Sequence, residues 1–228
     1  MNTSVLIYSC DAYSDIWEIF FKLFYRYWKC SYLVYLTTET KKCSEALTIN
    51  SDGATWTDRI RGAIDQIPTE FVIGMCEDMF LRRRVRQNII DDCLGYMSQN
   101  ENIACFNFEK DYNETLPCEY ENFGLKPPWG DYKKSCQPSL WRKSILREYL
   151  SVSQDPWEWE MSGTPDIHKH YIWAGDDKDL VFEYGFHNYE WFGIRKGKWV
   201  KDDVVPLFQR EGINVDYSIR GFFEEEKE

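Results

Sequence analysis

Apolar residues recur along the chain in two periods, one suited to strands and one to helices. Ser4 to Ser9, SVLIYS, is an apolar run of strand length, and Asp11 follows its C-terminal end. From Asp15 to Tyr27, the residues Ile16, Ile19, Phe20, Leu23, Phe24 and Tyr27 fall on one helical stripe. Tyr32 to Leu36, YLVYL, reads as a second strand, and Thr37 to Lys42 as a polar loop. Thr48 to Thr55, TINSDGAT, is crowded with Asn, Asp, Ser and Gly and reads as a turn. In Trp56 to Leu81, a helical face of Ile60, Ala63, Ile64 and Ile67 is stopped by Pro68. Phe71 to Cys76 is then an apolar run too short for another helix. That strand ends on two acids, Glu77 and Asp78.

The second half is less regular. Leu81 to Arg86, LRRRVR, is basic, Val85 to Met97 is helical in pattern, and Asn102 to Phe108 makes another short strand. Glu109 to Lys134 is acidic, aromatic and Pro-rich, which predicts a long irregular excursion of the kind that often carries function. Ser139 to Leu150 reads as a helix capped by Ser139, and another helix starts near Pro156. Tyr171 to Val200 alternates aromatic and polar residues between glycines, as hairpins do, and Val204 to Glu211 reads as the last helix before a frayed acidic tail. Strand, helix, strand, loop, helix, strand predicts a mostly parallel α/β sheet with right-handed crossovers. Residues 1–108 form the regular half and 109–228 the elaborated half of a single domain.

Composition narrows the function. A net charge of −11 argues against a protein that binds nucleic acid by neutralising many phosphates. No apolar segment approaches the roughly 20 residues of a membrane span, and the N-terminus lacks a signal-peptide pattern, so a cytoplasmic location is expected. The eight cysteines contain no C-x-x-C pair and read as reduced thiols. His168 and His170 would share one side of a strand, but no supporting ligand is spaced nearby. They read, with His187, as solvated loop residues. There is no G-x-S-x-G elbow, G-x-G-x-x-G loop or Walker A loop.

What remains is the acid pair. Two carboxylates at the C-terminal end of a buried strand sit where open α/β sheets bind ligands, and hard oxygen donors there suit Mg²⁺ or Mn²⁺ carrying phosphates. The arginines at 82, 83, 84 and 86 offer positive charge near such phosphates, or a solvated helix start. In PWEWE, Glu158 and Glu160 lie between indole rings that can raise a carboxyl pKa or stack on a sugar.

The order W-T-x-R, T-x-F-V-I, E-D-x-F over residues 56–80 resembles the nucleotide-sugar-binding core of GT-A glycosyltransferases, in particular small bacterial enzymes of capsule and lipopolysaccharide assembly. QPSLWRKSILREYL, DPWEWEMSGTPD and EGINVDYSIRG extend the resemblance over most of the chain. It implies a GT-A-like α/β fold and a hexosyltransferase that moves a sugar from a nucleoside diphosphate sugar to a glycan or lipid-linked acceptor. Attachment at the inner membrane face is compatible with such an acceptor. By the same resemblance Asp78 binds the metal beside Glu77, in place of the family's D-x-D. Asp11 and Tyr13 match the loop that grips base and ribose, Asp52 the acid that reaches the base, and Arg59 the arginine that faces the donor. Glu160, with Glu158 second, matches the catalytic base of an inverting transfer. A binding module without transfer activity and a metal-dependent nucleotidyltransferase are the other functions open to such a sheet.

Overall fold

The computed structural model describes residues 2–110, 115–127, 132–165, 167–185 and 193–224. The regular half runs β1 (Thr3–Tyr8), α1 (Trp17–Tyr27), β2 (Leu33–Thr38), β3 (Leu47–Asn50), α2 (Trp56–Gln66), β4 (Phe71–Cys76), α3 (Gln87–Gln99) and β5 (Ile103–Lys110). Then come β6 (Phe123–Leu125), β7 (Ser139–Arg142), α4 (Lys143–Tyr149), α5 (Pro156–Met161), β8 (Lys169–Trp173), β9 (Ile194–Arg195), β10 (Lys198–Trp199) and α6 (Lys201–Glu211).

The first eight strands form one sheet in the order β3-β2-β1-β4-β7-β5-β8-β6, and β9 and β10 pair as a separate small hairpin. Strands β3, β2, β1 and β4 are mutually parallel; β7 is antiparallel to both β4 and β5, β8 is parallel to β5, and β6 is antiparallel to β8. The fold is therefore an α/β mixed, mostly parallel sheet. Because β7 and β8 of the second half lie in the same sheet as β1 to β5, the two halves of the chain share one scaffold.

Alternation along the strands divides the core between the two faces. Val5 and Ile7 of β1 pack with Phe20 of α1, Ile90 of α3 and Leu207 of α6, whereas Leu6 and Tyr8 pack with Ile60 of α2, Ile145 of α4 and Trp159 of α5. The Tyr8 hydroxyl lies only 1.9 Å from where a side chain at Gly74 would begin, so the neighbouring β4 strand has room for glycine alone there. Among the described residues no helix is long and apolar enough to cross a membrane.

Several expected elements differ. Leu47–Asn50 is an edge strand pairing with β2, so only the latter part of the expected turn at 48–55 is a loop. Ser139 caps no helix. It lies in a strand paired on both sides, its hydroxyl donates to Asn107 Oδ1 at 2.7 Å, and the helix begins at Lys143. Pairing with two neighbours outweighs the helical spacing of Leu140 and Ile145. In the excursion from Glu109 to Lys134, residues 123–125 form β6. Parts of that excursion, His187 and the end of the acidic tail lie outside the described residues.

Candidate active site

The chain leaves β1 toward β2 on one side and β4 lies on the other, so the ends of β1 and β4 flank a topological switch point. A cleft of about 560 Å³ opens there, within the range of small-molecule sites. Its walls come from the end of β1 (Ser9, Cys10, Tyr13), the end of β4 (Cys76, Glu77, Asp78), the start of α2 (Trp56, Arg59) and the start of α5 (Trp157, Glu158).

Local sequence fixes those helix starts. Thr55 and Asp58 form a reciprocal capping box on α2, and Asp155 and Glu158 form another on α5, with Pro156 in the first turn. The two are tied together: Ser153 Oγ donates to Asp58 Oδ1 at 3.0 Å, and Thr57 Oγ1 donates to the Val152 carbonyl at 2.8 Å. Glu158 thus spends its carboxylate on the Asp155 amide, at 3.0 Å, while its neighbour Trp157 stands 74% exposed at the mouth of the cleft.

At the floor the two acids have different surroundings. Glu77 is buried, and its Oε1 accepts from Ser9 Oγ at 2.9 Å; that serine oxygen in turn accepts from Trp17 Nε1 at 2.7 Å. Among the described residues Asp78 Oδ1 is buried with no hydrogen-bond partner, and the Asp78 carbonyl accepts from the Gly193 amide at 3.2 Å. Burial raises both carboxyl pKa values above the ordinary range, and the charge of Asp78 raises Glu77 further, while Arg220 draws both down. Oxygen or sulfur atoms of Cys76, Glu77 and Asp78 lie within 4.8 Å of one another, a spacing that fits a cation. The thiol is the poorest of the three donors for a hard cation. It hydrogen-bonds the Cys136 carbonyl at 3.6 Å, and that neighbour together with burial pushes it up. An orphaned buried carboxylate oxygen beside a second carboxylate is the donor set that Mg²⁺ or Mn²⁺ uses when phosphates complete its shell.

The remaining expected residues are dispersed around this floor. Tyr13 and Arg59 line the cleft; Arg59 Nε is 3.6 Å from Glu39 Oε1. Asp11 lies just outside it, with its carboxylate accepting from Thr38 Oγ1 at 2.6 Å and from the Thr40 and Lys41 amides at 3.1 and 3.0 Å. These bonds hold its pKa well below the usual range and clamp the β1 loop to the end of β2. Asp52 is exposed on the loop after β3. Glu160 is half-buried, its Oε1 accepts from the Cys136 amide at 2.6 Å, and burial raises its pKa. Burial raises the Cys136 thiol, its contact with Cys76 draws it down, and Glu160 and Asp78 raise it further.

The basic run does not face the cleft as free charge. Arg82 forms a buried ion pair with Asp203 of α6, Arg83 pairs with Glu183 at 3.0 Å, and Arg86 pairs with Asp179 at 3.6 Å. His170 is also unlike the expected solvated residue. It is buried in β8, stacks on Tyr149, and its Nδ1 lies 3.1 Å from the Lys133 carbonyl.

Among the described residues, a cation that acts on both acids is Arg220, which lies in the EGINVDYSIRG segment but is given no role by its sequence context. Its guanidinium lies 4.5 Å from the centroid of Tyr13, pairs with Asp15 and donates to the Ala12 carbonyl at 2.9 Å. Glu109 is another unforeseen acid, hydrogen-bonded to Ser135 Oγ at 2.9 Å. It was open to detection by the signal that marked Glu77, an acid directly after an apolar strand.

No family model matches the sequence, and no curated protein matches it significantly. Similar solved structures include residues 1–349 of TarS from S. aureus, 9% identical over 79% of this chain and 59% of that one, with a TM-score of 0.48. The bifunctional IspDF from Campylobacter jejuni is 14% identical over 73% of this chain, with a TM-score of 0.42; the present chain covers 46% of it. The 2-C-methyl-D-erythritol 4-phosphate cytidylyltransferase from Thermus thermophilus is 13% identical over 82% of this chain and 94% of that one, with a TM-score of 0.44.

Proposed function

We propose that the protein is a glycosyltransferase that uses a nucleoside diphosphate sugar and glycosylates a glycan or lipid-linked acceptor in cell-surface polysaccharide assembly. The observation that carries this reading is Asp78, with an orphaned buried oxygen beside Glu77 at the switch point of the sheet. A bound Mg²⁺ or Mn²⁺ would be held by Asp78, with Glu77 as its neighbour, and would neutralise charge on the leaving diphosphate. Glu77, fixed by Ser9 and Trp17, orients Asp78 and keeps the floor rigid. Arg59 steers the diphosphate, and Tyr13 and Trp157 offer ring faces to base and sugar. Asp11 supports this by holding the β1 loop in place, and Asp52 reaches the base from the exposed loop after β3.

Glu160 is the base that takes the acceptor's hydroxyl proton as the hydroxyl attacks from the face opposite the diphosphate, an inverting displacement. Burial raises the pKa of Glu160 above the ordinary carboxylate value, which makes it a stronger proton acceptor than an exposed carboxylate.

Calorimetric titration of UDP- and GDP-sugars with Mn²⁺ into wild type and Asp78→Ala tests the site. The expected result is metal-dependent donor binding in the wild type alone; binding that survives the substitution removes Asp78 as a ligand. Mass spectrometry of donor and acceptor pools then tests the reaction. A glycosylated product with nucleoside diphosphate release is expected. Pyrophosphate release would assign nucleotidyl transfer, and binding without product a non-catalytic module.

A further inference from the structure

The end of the chain folds back over the loop that follows β1. Gly212 ends α6 in the left-handed conformation, with φ at 63°, and Asp216 closes a turn by accepting from the Ser218 amide at 3.0 Å. The Gly221 amide donates to the Tyr217 carbonyl at 2.8 Å and the Trp199 amide to the Gly221 carbonyl at 3.0 Å, which fixes Arg220 beside the β9–β10 hairpin. That hairpin turns through Lys196 and Gly197, both at positive φ. Its Gly197 carbonyl accepts from Arg220 Nη1 at 3.2 Å.

On its other side the guanidinium grips the β1 loop. Nε donates to Asp15 Oδ2 at 2.7 Å, Nη2 pairs with Asp15 Oδ1 and donates to the Ala12 carbonyl at 2.9 Å, and Cζ lies over the Tyr13 ring, 4.5 Å from its centroid. The Arg220 side chain is only 9% exposed, so its planar fork is spent on these groups and not offered to a ligand's phosphates. Tyr13 itself lines the cleft from the short 3-10 turn Asp11–Tyr13. A side chain on so short a turn is held by its contacts and not by a ladder of backbone bonds. Burial and the charges of Asp78 and Glu77 push its phenol up to about 12, against the pull of Arg220, so the ring meets a ligand uncharged.

We propose that Arg220 is a positioning residue for the nucleotide: it holds the Tyr13 ring as a fixed platform on which the donor's base stacks. The platform rests on the reading of the cleft as a nucleotide site. The guanidinium covers one face of the ring, and the base takes the other. A ring ordered beforehand stacks more tightly, because a ring that must be immobilised on binding loses conformational entropy at that moment. The nucleoside half of the site is thus completed by the far end of the chain.

Calorimetric titration of the full chain with UDP or GDP and Mn²⁺, and separately with pyrophosphate and Mn²⁺, tests the platform, since pyrophosphate has the phosphates and no base. Tyr13→Ala is expected to weaken whichever nucleotide the wild type binds by about tenfold. Arg220→Lys keeps the charge but not the planar fork, and is expected to weaken it about fivefold. Asp15→Asn, a milder change at the exposed member of the pair, is expected to weaken it about threefold. Pyrophosphate affinity is expected to stay at the wild-type value in all three. Because Arg220 acts through the ring, the double variant Tyr13→Ala, Arg220→Lys is expected to bind no more weakly than Tyr13→Ala alone. A double variant that loses the product of the two factors, about fiftyfold, overturns the platform, since Arg220 then acts apart from Tyr13. Equal losses of pyrophosphate and nucleotide in both Arg220→Lys and Asp15→Asn overturn it too, by placing the effect on the acids or on the fold. Unchanged nucleotide affinity in Tyr13→Ala or in Arg220→Lys overturns the platform and leaves the nucleotide site standing. A wild type that binds neither nucleotide removes the site and the platform with it.

Discussion

Trp157 and Trp159 are two positions apart and do opposite work. Trp157 is 74% exposed at the mouth of the cleft, whereas Trp159 is fully buried against Trp56 and Trp141 and donates from Nε1 to the Tyr149 carbonyl at 2.9 Å. The acids between and after them divide the same way, Glu158 capping the helix and Glu160 turning inward toward Cys136. The PWEWE segment announced two rings and two carboxylates, but which ring and which acid face the core depends on where α5 docks, and that is set by residues far away in sequence. Trp157→Ala is expected to leave stability within about 0.5 kcal/mol of the wild type while weakening donor or acceptor binding by about 1–3 kcal/mol. Trp159→Ala is expected to cost about 3–5 kcal/mol of stability. Urea denaturation and calorimetry on the two variants separate the roles; equal stability losses would place Trp157 in the core.

At the scale of elements, β1, α1, β2, α2 and β4 were legible because each buries a periodic face or an unbroken apolar run. The strand β7 was not. Its four residues sit in a stretch with helical spacing, and only pairing with β4 and β5, both distant in sequence, makes them a strand. The edge strand β3 buries only Ile49 and so leaves little apolar pattern to read. The Arg run misleads for a related reason, since its partners come from elements about 100 residues later, a distance over which sequence spacing says nothing of contact. Arg82 and Asp203 tie the segment after β4 to α6, and burial raises Asp203 to about 6 against the pull of Arg82. Arg82→Ala leaves that acid buried without its cation, so a loss of about 3–5 kcal/mol is expected at pH 8, where Asp203 is ionised. The loss should shrink at pH 5, where a protonated Asp203 needs no counter-charge. Urea midpoints at the two pH values check this, and an equal loss at both would show that the pair's packing, and not its charge, holds α6.

Across the whole molecule, the site is assembled from ends of strands and helices that the sheet order brings together, so the acids at 77 and 78 were visible from sequence while Arg220 was not. Its docking on Tyr13 depends on the chain returning past β10, where Trp199 and Phe222 pair in a short parallel bridge. The same long-range packing decides how the fold responds to pH through His170, which lies in β8 among Tyr149, Cys105 and Trp141. Its Nδ1 faces the Lys133 carbonyl and must carry the hydrogen, leaving Nε2 to accept from the Tyr149 hydroxyl at 3.2 Å. Burial lowers its pKa from 6.5 to about 3. Between those values the unfolded chain binds a proton that the folded chain does not. The stability this neutral ring contributes is therefore fully present above pH 6.5 and is lost as pH falls toward 3, by an amount on the order of a few kcal/mol. Urea midpoints measured from pH 7.5 down to pH 4.5 are expected to fall more steeply in the wild type than in His170→Gln, which has no ring to protonate. Parallel slopes for the two proteins would show that the acid sensitivity of the fold lies in its carboxylates and not in this histidine.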